Sequence, residues 1–92
     1  MKALPSDVTP YKRTPEFTRA STPAGLLRGH NTKDGVWAQI VVLEGTMTYR
    51  ILEPEIEEIA LDPDHPGVIE PRVLHEVVPH EGVRFYVEFC RR

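Results

Sequence analysis

Four histidines, His30, His65, His75 and His80, and one cysteine, Cys90, are the residues of this chain best suited to ligation or proton transfer. His75 stands out. In Val73–Val78, side-chain alternation sets Val73, His75 and Val77 on one face, and two valines mark that face as inward. An imidazole there needs a hydrogen-bond partner, a ligand or a metal. Joined by His30, it gives two neutral imidazoles, which suit Zn, Fe, Ni or Cu, with Glu70 or water as a further ligand. An open position would leave room for a small oxyanion or oxygen. On spacing alone, a pair of hydrogen-bonded histidines in a polar pocket is the plainer reading. Glu70 precedes Pro71 and is biased to an extended conformation, where it serves as ligand or general base, or else caps a turn or pairs with Arg72 or Arg84. Trp37 and Tyr49 are candidate walls of a ligand pocket, with buried structural aromatics as the alternative. Arg28 and Lys33 could draw in an anion or simply be solvated. His65 and His80 fall in turns and are expected at the surface. Cys90 lies beside Arg91 and Arg92, cations that would lower its thiol pKa, unless it is a buried or edge thiol. No serine or cysteine nucleophile motif and no phosphate loop is present, so hydrolase and kinase readings have no support.

These groups must be positioned by short strands. Residues 1–15 contain Pro5, Pro10 and Pro15 and read as an extended arm, which leaves 16–92 as one domain. Phe17–Ala20 and Gly25–Arg28 are candidate strands around a turn at Ser21–Ala24. Asn31–Gly35 is a loop. VWAQIVVL (Val36–Leu43) reads as a central strand and TMTYRIL (Thr46–Leu52) as its hairpin partner. Glu55–Leu61, bounded by Pro54 and Pro63, reads as an edge strand, and Asp62–Gly67 as a dense turn. Val68-Ile69, Val73–Val78 and Val83–Cys90 supply the last strands, the last with Val83, Phe85, Val87 and Phe89 on the core face and Glu88 on the other. Seven or eight closely spaced strands without a long helix predict an all-β sandwich or small barrel.

Composition agrees. Ninety-two residues allow one domain, and 40% hydrophobic with 27% charged residues is a globular balance. A net charge of −3 gives no basic footprint, so nucleic acid is not an expected partner. One cysteine excludes an intramolecular disulfide and a cysteine-based zinc cluster. No signal peptide or membrane span is visible, and a cytoplasmic protein is expected. So small a core would gain from pairing, and a homodimer is expected.

Two segments resemble the cupin pattern. Gly45 closes VVLEG as in the first cupin motif, and Glu70-Pro71-Arg72-Val73-Leu74-His75 occupies the place of the second, with His75 at its metal-binding position. Ala38 stands where the family's glutamate ligand would be, so the full four-ligand set is not written here. More closely, HNTKDGVWAQIVVLEG (His30–Gly45), PGVIEPRVLHEV (Pro66–Val77) and VRFYVEF (Val83–Phe89) resemble the small cupin-like domain of the TehB/YeaR family. The similarity covers about residues 10–92. It implies a cupin-like double-stranded β-helix barrel, a divalent metal (Zn, Fe, Ni or Cu) on His30, His75 and Glu70, and a bacterial response to tellurite or other oxyanion stress. It does not imply methyl transfer, since no glycine-rich nucleotide loop is present. The expected function is binding of a metal ion, small molecule or oxyanion in the barrel. A small metal-dependent oxygenase and a docking domain for a partner protein are the alternatives.

Overall fold

Alternating apolar residues along Trp37–Glu44 and Arg84–Arg91 build the longest strands of the chain. Ala38, Ile40 and Val42 on one, with Phe85 and Val87 on the other, are buried, and the residues between them face outward. The computed structural model describes residues 1–27 and 32–92. In chain order the elements are β1 (Thr9–Arg13), β2 (Phe17–Thr18), α1 (Ala24–Leu27), β3 (Trp37–Glu44), β4 (Met47–Ile51), β5 (Glu57–Leu61), β6 (Gly67–Ile69), β7 (His75–Pro79) and β8 (Arg84–Arg91). The all-β expectation is met. No helix among the described residues is long and apolar enough to cross a membrane.

The strands form two antiparallel sheets. The larger runs β1-β8-β3-β6, with β2 also on β8, and the smaller runs β5-β4-β7. Their inner faces make the core: Ala38, Ile40, Val42, Ile69, Phe85 and Val87 from the large sheet meet Met47, Tyr49, Ile51, Leu61 and Val77 from the small one.

Three expectations change. The predicted 36–52 hairpin does not form: β3 pairs with β8 and β6, whereas β4 pairs with β5 and β7. A hairpin would lay both apolar faces on a single sheet. Sending β4 to the opposite sheet lets the two faces bury one another. Gly45, at φ 78°, makes the corner, and a Cβ there would lie 3.0 Å from the Gly82 carbonyl oxygen and the Val83 Cα.

Second, Gly25–Arg28 is not a strand. Ala24–Leu27 is one helical turn, and Arg28 lies outside the described residues. Thr22 Oγ1 donates to the Thr18 carbonyl at 2.7 Å, and the Leu26 amide donates to the Pro23 carbonyl at 3.0 Å, so the turn is fixed locally after Pro23.

Third, the sheets do not close into a barrel, since no strand pairing joins them among the described residues. The edge strand β6 has three residues and is bounded by Pro66 and Pro71, whose missing donors cut that edge short. In place of a ladder, Met1 spans the gap between the β5 and β6 edges. Its amine meets Glu57 Oε1 at 2.7 Å and its thioether sulfur accepts the Val68 amide at 3.1 Å.

Candidate functional site

The register of the small sheet defines the site. Directly opposed residues share a face, so one row across β5, β4 and β7 reads Glu57, Ile51, His75, and the next row inward reads Ile59, Tyr49, Val77. The first row lies at an open end of the sandwich and the second is in the core.

His75 is fully buried, as its place between two valines predicts. Its Nδ1–H donates to the Val73 carbonyl at 3.0 Å, which fixes the orientation of the ring. Tyr49 is also fully buried and meets His75 edge-on, with ring centroids 5.8 Å apart and planes at 71°. Its hydroxyl has no hydrogen-bond partner among the described residues. Burial holds the phenol pKa well above its usual value near 10, and the negative charges of Glu70 and then Glu57 push it further the same way. The hydroxyl is thus a firm donor that never ionises at neutral pH.

Ile51, the next inner-face residue of β4 after Tyr49, helps line a cleft of about 470 Å³ together with Glu57 and Glu70, while Tyr49 and His75 are not among its lining residues. Glu53 and Glu55 add negative charge, and Pro54 and Ile56 add apolar surface. The cations facing it are Lys2, whose Nζ lies 3.4 Å from Glu70, and the Met1 amine. A second hollow, of about 670 Å³, lies at the other end of β3 and β8, lined by Thr18, Glu44, Glu81 and Arg84 among others. Of the two arginines that line it, Arg19 and Arg84, Arg84 is committed, at 2.7 Å from Glu16 and 3.5 Å from Glu44.

Of the residues singled out in the sequence, the fold brings Tyr49 and His75 together with Glu70 close by. His30 lies outside the described residues. Glu70 pairs with Lys2 rather than with Arg72 or Arg84. Trp37 sits opposite Cys90 and alternates with the core residue Ala38, so it faces the outside of the large sheet. Lys33 is exposed. His65 is exposed beside Asp62 at 2.8 Å, and His80 is half-buried between the hydroxyls of Thr46 and Thr48. Cys90 takes the plainer of its two readings: its thiol is buried, and burial followed by the charge of Glu88 raises its pKa, so Arg91 and Arg92 do not activate it. Glu57 was not anticipated as a site residue. The signal was present, since Glu57, Ile59 and Leu61 alternate onto one face of β5.

The fold and this pocket define a small two-sheet β-sandwich with a ligand-sized opening at one end. Residues 12–87 match the TehB-like domain, and the chain belongs to that family. It is 31% identical over 71 residues to the probable S-adenosyl-L-methionine-dependent methyltransferase TehB of Haemophilus influenzae strain Rd, and equally to that of strain 10810. Those matches cover 73% of this chain and 25% of the relatives, so the chain spans about a quarter of their length. The crystal structure of TehB from H. influenzae superposes with a TM-score of 0.87 at 26% identity, over 95% of this chain and 32% of that one. The crystal structure of an E. coli K12 protein gives the same TM-score at 21% identity, over 98% of this chain and 96% of that one, and shows that the fold also accounts for nearly the whole of a crystallised chain.

These findings overturn the divalent-metal expectation. The relatives are named for S-adenosyl-L-methionine rather than for Zn, Fe, Ni or Cu. Among the described residues, no three His, Cys, Asp or Glu side chains gather as a ligand set. Glu70, the expected third ligand, is turned to Lys2.

Proposed function

We propose that the chain is a non-catalytic ligand-binding module of the TehB type, which takes a small organic molecule into the open end of its sandwich. The observation that carries this reading is the Tyr49 hydroxyl. A buried hydroxyl left without a partner among the described residues costs about 1–3 kcal/mol, and this one lies one inner-face position along β4 from Ile51, which lines the cleft, so a ligand reaching past Ile51 is suited to supply the missing acceptor. Apolar surface at Ile51, Ile56 and Pro54 gives the body of that ligand a place to lie.

The link to S-adenosylmethionine comes through the relatives. They are named as dependent on it, and this chain matches about a quarter of their length. We assign methyl transfer to the rest of that length, because these 92 residues contain no glycine-rich nucleotide loop. The module's part is to recognise a molecule connected with that reaction.

The test is an amide NMR screen of the whole chain against neutral, cationic and anionic fragments, with S-adenosylmethionine in a separate arm. Saturable shifts at Ile51, Glu57 and Glu70, lost in Tyr49→Phe, are the expected result. A screen in which no fragment moves those signals would sink the reading. Tight binding of S-adenosylmethionine at the cleft would overturn the assignment of the cofactor to the remaining length.

A further inference from the structure

The outer faces of the two sheets differ in kind. On the small sheet, Arg50 is held by Glu58 and Glu76, and Thr46 and Thr48 share His80. On the large sheet, Ala38, Ile40, Phe85 and Val87 turn to the core. The residues that alternate with them therefore face outward: Trp37, Gln39 and Val41 on β3, and Tyr86, Glu88 and Cys90 on β8. Trp37, Val41 and Tyr86 are half-buried and make this face apolar.

A carboxylate stands in the middle of it. Glu88 is directly opposed by Gln39 on β3 and by Arg13 on β1. Its side chain makes no ion pair or hydrogen bond among the described residues, although a cation is its neighbour. Arg13 lays its guanidinium over the Tyr86 ring instead, 3.7 Å from the ring centroid. Stacking covers a face of the guanidinium and leaves the N–H donors, which lie in its plane, free at the edges. The charge of Glu88 is felt by the buried Cys90 thiol, whose pKa it raises. A half-buried acceptor and an uncommitted set of donors thus sit side by side on one apolar face.

Such a face is complementary to itself under a two-fold axis. What Glu88 lacks, Arg13 of a second copy supplies, and the reverse, so one pairing satisfies both groups twice. The strands of this sheet, at about 4.8 Å spacing and about 3.4 Å per residue, give roughly 400 Å² in projection. That extent belongs to the small end of specific interfaces, so reversible association at micromolar concentration is expected.

We propose that the outer face of the large sheet is a self-association surface, on which two copies of this chain pair about a two-fold axis, Arg13 of each reaching Glu88 of the other beside an apolar centre of Trp37, Val41 and Tyr86. The pairing is independent of the ligand-binding reading, which concerns the open end of the sandwich.

The test is sedimentation equilibrium of the whole chain at low salt, from about 10 μM to about 1 mM. The wild type should pass from monomer to dimer across that range. Trp37 is the only tryptophan, so its emission should shift to the blue as the face leaves water. Arg13→Glu and Glu88→Arg each set like charges against one another, and each should raise the dissociation constant by about tenfold or more. Both positions face outward, and amide NMR checks that each variant is folded. Mixed in equal amounts, the two variants should form a heterodimer that neither forms alone, because opposite charges then meet at both contacts. Within either variant the charges stay alike, so repair inside one chain cannot produce that result. A wild type that remains monomeric through the range overturns the proposal. A dimer that survives both substitutions places the contact on another face and overturns it too, as does a mixture of folded variants that stays monomeric.

Discussion

On the outer face of the three-stranded sheet, Arg50 lies between Glu76 and Glu58 at 2.7 and 3.0 Å, and its neighbour on the inner face, Tyr49, has a hydroxyl without a partner among the described residues. The two residues are adjacent on one strand. Outside, every cross-strand polar group has found a match: Thr46 and Thr48 share His80 at 2.8 and 3.1 Å, and Arg50 bridges β7 to β5. Water would have solvated these groups anyway, so their pairing adds little. Inside, where a missing partner is costly, one is missing. On this sheet, among the described residues, polar satisfaction is thus complete where it is least needed, and the lapse falls one inner-face position from Ile51, which lines the cleft. A buried unpaired group that persists in a small, marginally stable domain calls for a use, and binding is the use its position supports.

The largest effect should come from removing the Tyr49 ring. Tyr49→Ala takes a fully buried aromatic from the centre of the small sheet, and losses of about 3–5 kcal/mol are typical of such truncations. Urea denaturation measures it. A loss under about 1 kcal/mol would mean that the inner face is loosely packed and the contrast with the outer face is not one of burial.

Tyr49→Phe separates ring from hydroxyl. Because the oxygen has no partner to lose, stability at neutral pH should hold or rise by about 1 kcal/mol, as the desolvation cost is relieved. Affinity for whichever fragments bind at Ile51 in the NMR screen should fall at the same time. A destabilisation instead would show that the hydroxyl is bonded in solution and is not kept for a ligand. The same variant sharpens the contrast at high pH. The folded-state phenol pKa is raised, so its contribution is fully present below the usual value near 10 and is lost as pH climbs past it. The wild type should therefore lose stability faster than Tyr49→Phe above pH 10, as followed by thermal melts across that range. Parallel curves would place the hydroxyl in water.

Much of this contrast could be read from residue order alone. Alternation placed His75 and Val77 inward and gave Val83, Phe85 and Val87 to the core, because a half-buried strand has a period of two. The β3–β4 hairpin failed for a reason that alternation cannot reveal. Val36–Leu52 has the pattern of two strands whether they pair side by side or face each other, and only the sheet partners β8 and β7, far along the chain, decide between them. Ala24–Leu27 was misread because four residues carry too little periodicity to tell a helical turn from a strand. Cys90 is buried, the commoner outcome for a lone thiol, and its sequence neighbours Arg91 and Arg92 do not set its environment. Glu57 was legible by parity and passed over because its flanking glutamates resemble a solvated edge.

The smallest effect should come from the side that is fully satisfied. Arg50→Gln removes a guanidinium held by two carboxylates, yet all three side chains reach solvent and water can replace each bond. The urea midpoint should barely move, and the shift should shrink further in high salt as screening removes what attraction there was. Binding of those fragments should be unchanged, because Arg50 faces away from the cleft while Ile51 and Tyr49 on either side of it face inward. This variant is the sharpest control on the whole comparison. If losing Arg50 weakened fragment binding as much as losing the Tyr49 hydroxyl, the binding face of this sheet would be the outer one, where Arg50 lies between Glu58 and Glu76.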